Sequence, residues 1–135
     1  MRSLAVSIIA LALLAGCGGA GETAPLKEVG RAHSGQMDVV LLSAGESLKQ
    51  GKGTFVIEFR DGSGGLVDVG TVMVSASMPM AGMAPMFGES TVMPTDSKGR
   101  YDVASDLSMA GTWRFTVTWN GPAGRGSVSM PGRAS

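Results

Sequence analysis

Apolar residues alternate with polar ones along several short segments of this chain. The apolar positions of the four clearest segments are Phe55, Ile57 and Phe59; Val72, Val74 and Ala76; Tyr101, Val103 and Leu107; and Trp113, Phe115, Val117 and Trp119. Successive side chains of a β-strand point to opposite faces of the sheet, so this period of two predicts half-buried strands. From Met37 onward no segment carries the period of an amphipathic helix.

Turn-forming residues separate these segments. They include Asp61–Gly65, Asp96–Gly99 and Asn120–Gly121, all rich in residues that favour tight reversals. About seven short strands at this spacing predict an all-β fold, a single antiparallel β-sandwich of the immunoglobulin type. Neither a helix bundle nor a doubly wound α/β fold is compatible with this pattern.

The N-terminus has the features of an export signal. Arg2 precedes the apolar run Leu4–Ala15, which is shorter than the roughly 20 residues that span a bilayer. The run ends in Leu-Ala-Gly-Cys17, which resembles the lipobox of bacterial lipoproteins, where the cysteine is acylated, for example by palmitate, and becomes the mature N-terminus. We therefore predict export and a lipid anchor on Cys17 at the cell envelope, with an ordinary signal peptide as the alternative. Position 18 is Gly and not the Asp that marks inner-membrane retention in many Gram-negative bacteria, which favours the outer membrane if the organism is Gram-negative.

The 135 residues accommodate one domain. We predict a cleaved signal peptide over residues 1–16 and a flexible tether over 17–36, where small residues come first and no strong pattern follows. The β-sandwich is predicted over 37–131, and residues 132–135 are predicted to be a tail.

Charge and composition exclude several classes of function. The 11 basic residues balance 11 acidic ones, which argues against nucleic acid as a partner. Cys17 is the only cysteine and His33 the only histidine in the sequence, so the chain has no disulfide framework and no cysteine-rich zinc site. The acidic residues are scattered, and the serines lack a histidine base inside the predicted domain. We therefore expect no enzymatic activity.

One segment, Met78–Phe87, resembles neither ordinary core nor an ordinary turn. Its methionines are Met78, Met80, Met83 and Met86, separated by two prolines and a glycine. Proline interrupts the hydrogen bonds of a sheet, so we predict a loop or an irregular edge. Soft thioether sulfurs select soft metal ions, above all Cu(I), which makes these four methionines candidate copper ligands.

The same methionines also have structural explanations. Methionine fills irregular gaps in a core and forms adaptable contact surfaces, and Met78 is in register with the core-facing residues of the preceding strand. His33 is a weaker candidate ligand, which would reach the loop only if the tether folds back. Met109 is predicted to fill the core at a chain reversal, and Trp119 is predicted to lie beside the methionine loop.

Three features of the run from Thr54 to Met130 resemble the YtkA-like domain, a bacterial family related to FixH proteins. They are the Met-Pro-Met-x-x-Met loop of Met78–Met83, the Gly99-Arg-Tyr101 segment, and Asp106-Leu-Ser-Met-Ala-Gly-Thr-Trp113 leading into a strand. Ala84-Pro-Met86 has no counterpart in that pattern. The resemblance implies an immunoglobulin-like sandwich, often anchored to a membrane, that accompanies heavy-metal efflux adaptors or copper-oxidase assembly.

Two classes of function remain open from the sequence. In the first, the domain binds or handles Cu(I) at the cell envelope through the methionine loop. In the second, the loop is a metal-free surface that docks an efflux-adaptor or oxidase-assembly protein.

Overall fold

The computed structural model describes residues 25–135, and this part of the chain is built of β-strands. The strands are β1 (Lys27–Ser34), β2 (Met37–Ser43), β3 (Gly51–Arg60), β4 (Thr71–Met78), β5 (Met86–Pro94), β6 (Arg100–Leu107), β7 (Gly111–Gly121) and β8 (Gly124–Ala134). Residues 25–135 include no helix long and apolar enough to cross a membrane. The predicted signal peptide and Cys17 lie outside the described residues.

All neighbouring strands are antiparallel, in the order β1-β2-β3-β6-β5-β4-β7-β8. β4 and β5 are paired at only three positions, from Ala76 opposite Gly88 to Met78 opposite Met86. The eight strands form one sheet, and this short junction is its least extensively paired part. The predicted antiparallel all-β fold is confirmed, with eight strands where about seven were expected.

The core lies where β3 packs against β7, and it is rich in aromatic residues. Phe55 contacts Phe115 edge to face, with 5.5 Å between ring centroids, and Phe59 makes the same kind of contact with Tyr101 and Trp119. These residues occupy the alternating positions that the sequence assigned to the inner face. Edge-to-face pairs stabilise a core beyond the burial of their surface.

The segment predicted to be a flexible tether contains β1, so the prediction was wrong from Lys27 onward. β1 pairs with β2 along its length, with an irregularity between Glu28 and Gly30. Its sequence gives little sign of a strand because its outward positions are charged and only Val29 and Ala32 pack against the core. Backbone pairing with the apolar strand β2 supplies the stabilisation that the sequence of β1 lacks.

The C-terminal residues predicted to be a tail belong to β8, so this prediction was also wrong. Ala134 is 1% exposed, and the Leu48 amide donates to the Arg133 carbonyl at 2.8 Å. The sequence of β8 shows no clear alternation of apolar and polar residues, because glycines stand at some of its inward positions. Aromatic rings of β7 occupy the space that side chains there would fill. A Cβ at Gly126 would lie 2.4 Å from a ring carbon of Trp119.

Candidate functional site

The four candidate methionines belong to a hairpin formed by β4, β5 and the loop 79–85. Met78 and Met86 lie opposite each other at its base. Within the loop the Met83 amide donates to the Met80 carbonyl at 3.3 Å, and Gly82 adopts a φ of 72° that favours glycine. We call these residues, Met78 to Met86, the Met-rich hairpin.

The methionines of the Met-rich hairpin differ in exposure. Met78 is 9% exposed and belongs to the core cluster, and a Cβ added at Gly111 would lie 3.1 Å from its Cε. Met86 is half-buried against the core, Met80 is half-buried, and Met83 is 70% exposed. The structure therefore separates a core-facing base from an accessible loop.

The turn between β6 and β7 lies beside this hairpin. The Ser108 hydroxyl donates to the Met86 sulfur at 3.0 Å. The next residue, Met109, is 41% exposed, and its carbonyl accepts a hydrogen bond from the Trp113 indole at 3.0 Å. The prediction that Met109 fills the core was wrong, because its backbone, and not its side chain, caps the buried ring.

Met109 thus adds another thioether near the Met-rich hairpin. The sequence carried a signal for its exposure, since Met109 stands among Ser108, Ala110 and Gly111, which are typical of a turn. We call this end of the sandwich, with the loop 79–85 and the turn 108–110, the Met-rich end.

His33 lies at the opposite end of the sandwich. It is part of β1, next to the turn into β2, and its ring Nδ1 is hydrogen-bonded to Asp38. Asp38 in turn lies opposite Arg60, where β3 ends. The structure therefore does not bring His33 to the methionines, and the idea of a tether folding back was wrong because His33 is held in the sheet.

Asp38 is the centre of a small network of charged groups on this part of β1 and β2. Its carboxylate accepts hydrogen bonds from His33 and from Arg31, and these lower the pKa of Asp38 below its usual value. Arg31 also binds Glu28 through two hydrogen bonds of 2.8 Å. With every member partly or largely exposed to solvent, the network is of the kind that contributes little to stability.

The prediction that Trp119 lies beside the methionine loop was wrong. Trp119 lies opposite Val72 and Gly126, at the end far from the Met-rich hairpin. Trp113 is the ring beside the hairpin, and it is fully buried. Because β7 runs antiparallel to β4, the start of β7, and not its end, lies beside the loop that follows β4.

Phe87 is a feature of the site that the sequence reasoning missed. It is 74% exposed and points to the outer face, opposite Ser77. Its position in β5 could have predicted this, because Phe87 stands between Met86 and Gly88 and must point to the opposite face of the strand from them. A Cβ at Gly88 would lie 3.3 Å from the Trp113 ring, so the inward position is already filled.

Hard metal ligands do not converge in the described part of the chain. Among residues 25–135 no three His, Cys, Asp or Glu side chains form a group that could hold a metal ion. The candidate soft donors are the thioethers of the methionines at the Met-rich end.

One surface depression of the described chain lies away from the methionines. It has a volume of about 550 Å³ and lies over the outer face of β3 and β6. Its lining includes Leu26, Thr54, Val56, Arg100 and Asp102. It contains none of the candidate methionines, so the depression and the candidate chemistry are separate features.

Comparison with known proteins identifies the class of domain. Residues 31–118 match the YtkA-like family model, from β1 to β7 and across the whole Met-rich hairpin. The chain therefore belongs to the YtkA-like family. No match was found among curated proteins or among solved structures.

Proposed function

We propose that this YtkA-like domain binds Cu(I) at the cell envelope through the loop of its Met-rich hairpin. The observation that carries the proposal is the position of Met83, which is 70% exposed in a loop that also contains Met80 and is flanked by Met86. Three thioethers within seven residues supply the donors of a trigonal Cu(I) site.

Thioether chemistry suits the proposed location. A methionine sulfur needs no deprotonation before it binds a metal, unlike cysteine or histidine. Such a site therefore keeps its ligands at low pH and has no thiol to oxidise. It also discriminates against Zn(II), which prefers imidazole, thiolate and carboxylate ligands.

The ligands we assign are Met80, Met83 and Met86. Met78 is left out because its side chain belongs to the core, and moving it would open a cavity. His33 is left out because it lies at the opposite end of the sandwich. Met86 serves both the core and the site, and its contact with Ser108 orients its sulfur.

The loop is lightly held, which supports its closing on a metal ion. Within residues 79–85 one backbone hydrogen bond is formed, from Met83 to Met80. Exposed segments with few hydrogen bonds rearrange at low cost in free energy. Met80 and Met83 are therefore free to approach Met86 without disturbing β4 or β5.

The proposal includes the anchor predicted from the sequence. Acylation of Cys17 would hold the domain at the membrane surface, and more than one acyl chain is needed for stable anchoring. Export of this kind places the methionines in a compartment where free thiols are scarce.

A second candidate function is docking of a metal-free protein partner. It is favoured by Phe87, an aromatic side chain that is 74% exposed and follows the 70% exposed Met83 by four residues. Exposed aromatic and methionine side chains are enriched in protein interfaces. On this account the hairpin recognises an envelope protein by its shape and apolarity.

Metal titration separates the two functions. A soluble form beginning at Glu22 contains all eight strands and the whole described core. We expect it to take one Cu(I) from a chromogenic chelator under reducing conditions and to leave Zn(II) unbound. A folded domain that takes no Cu(I) would refute the metal proposal and leave the docking function.

A further inference from the structure

The chain enters the fold part of the way along its strands. Lys27, the first residue of β1, pairs with Ser43, and the preceding residue of β2, Leu42, pairs with Val56 in the middle of β3. β3 extends from there to the Met-rich end, where Gly51 pairs with Leu107 and the turn after Leu107 contacts Met86. β1 runs away from the Met-rich end, so its first residue is nearer to that end than His33 is.

Leu26 fixes this entry point. It packs against a small apolar cluster on the outer face of β2 and β3, formed by Val40, Leu42 and Val56. The path from the proposed anchor to this fixed point is Gly18–Leu26, nine residues. Fully extended, nine residues span about 30 Å. The strand from Val56 back to Gly51 spans about 17 Å, so the path is long enough for the Met-rich end to reach the membrane surface.

Exposed apolar side chains lie at the same end. Met83 and Phe87 are 70% and 74% exposed. Phe87 points outward beside Ser77, which in turn lies opposite Arg114 on β7. Met83 on the tip and Phe87 on the flank of the hairpin are thus exposed apolar side chains, and Arg114 lies two strands away from Phe87.

The charge of the adjoining face is of one sign. β4, β7 and β8 contain three arginines, Arg114, Arg125 and Arg133, and no acidic residue. In the described chain none of the three forms an ion pair. Arg114 and Arg133 lie on adjacent strands near the Met-rich end, and Arg125 lies at the opposite end. Lys27, at the start of β1, forms an ion pair with the exposed Glu46.

We infer that the Met-rich end docks on the anionic lipid surface that holds the anchor. Met83 and Phe87 contact the apolar boundary of the headgroup layer, and Arg114 and Arg133 bind lipid phosphates. Apolar side chains flanked by basic ones are the pattern of interfacial membrane contacts. The inference rests on the proposed acylation of Cys17 and is independent of metal binding.

Site-specific fluorescence tests this orientation. With Cys17 acylated, an introduced cysteine is the sole free thiol, so Ala81→Cys labels the Met-rich loop and Ser63→Cys labels the opposite end. Acylated protein is purified in detergent and reconstituted into vesicles of phosphatidylcholine, with and without phosphatidylglycerol. We expect lipid-borne quencher to reach the label at position 81 in anionic vesicles only, and to leave the label at position 63 unaffected.

Matched charge variants test the arginine contacts. Arg114→Gln with Arg133→Gln should reduce quenching at position 81 to the level in neutral vesicles, since two basic groups near the surface change binding by about 30-fold. The control, Lys98→Gln with Arg125→Gln, has the same change in charge at the opposite end and should retain the quenching.

Four results would overturn the inference. One is equal quenching at position 81 in both kinds of vesicle, and another is stronger quenching at position 63. A third is a response only in native membranes, which would assign the surface to a membrane protein. The last is a purified protein that carries no acyl chains, which would remove the anchor. The mass of the purified chain shows this independently of the quenching.

Discussion

Met78 and Met86 lie opposite each other across the β4–β5 hairpin, and both side chains point toward the core. This relationship makes the base of the Met-rich hairpin part of the core and leaves its loop accessible to solvent. Met78 is nearly buried, whereas Met83, five residues later, is largely exposed. Chemically identical side chains within one short segment therefore have different roles.

Replacing these two methionines by alanine should separate the roles. Met78→Ala removes a core side chain and should lower the free energy of unfolding by about 2–3 kcal/mol. Met83→Ala removes an exposed side chain and should change it by less than about 0.5 kcal/mol. Urea denaturation of both variants measures the difference. Equal losses would contradict the assignment of Met78 to the core.

Gly126 should be intolerant of a side chain. A Cβ there would lie 2.4 Å from the Trp119 ring, so Gly126→Ala should destabilise the fold by about 1–3 kcal/mol through overpacking. Gly62 is the matched control, because a Cβ added there meets no atom within 4 Å. Thermal melts of both variants give the comparison. A Gly126→Ala domain as stable as the control would show that Trp119 does not fill this position.

Asp38 should give the domain a small acid-dependent contribution to stability. Hydrogen bonds from His33 and Arg31 lower its folded-state pKa, so the stabilisation is present above the ordinary pKa of about 4 and is lost as pH falls through the lowered value. Asp38→Asn should therefore reduce the loss of stability at acid pH. Melting temperatures measured from neutral to acid pH test this, and an unchanged slope in the variant would contradict it.

The anchor predicts a change of cell fraction. Cys17→Ser removes the acceptor for acylation while leaving the apolar run before it intact. The wild-type protein should be extracted from membranes by detergent, and the variant should be found in soluble or unprocessed form. Mass spectrometry of the wild type checks the modification directly. An unmodified mature N-terminus at another residue would refute the anchor.

The sequence predicted the strands whose core positions carry large side chains. β3, β4 and β7 were found because aromatic and β-branched residues alternate along them, and the same alternation placed Met78 toward the core. β8 was cut short because Gly126 and Gly132 leave its inner face to the rings of β7. β1 was missed because an edge strand with a charged outer face needs only its neighbour to form.

The arrangement of the candidate site was less predictable, because it depends on contacts between distant segments. The register of β7 against β4 determines that Trp113, and not Trp119, lies beside the hairpin. The pairing of β1 with β2 likewise places His33 far from the methionines, and no local pattern carried that information. The hydrogen bond from Ser108 to Met86 connects the turn after β6 with the start of β5, across 22 residues of sequence.

Cu(I) binding by matched methionine variants tests the central claim most directly. In the first variant Met80, Met83 and Met86 become leucine, which conserves apolarity and approximate volume and should cost less than about 1.5 kcal/mol of stability per site. In the control, three methionines outside the segment Met78–Met86 become leucine, namely Met37, Met73 and Met93. Competition with a chromogenic Cu(I) chelator should give one bound Cu(I) for the wild type and for the control, and none for the hairpin variant. Retention of Cu(I) by the folded hairpin variant, or equal loss from both variants, would contradict the account.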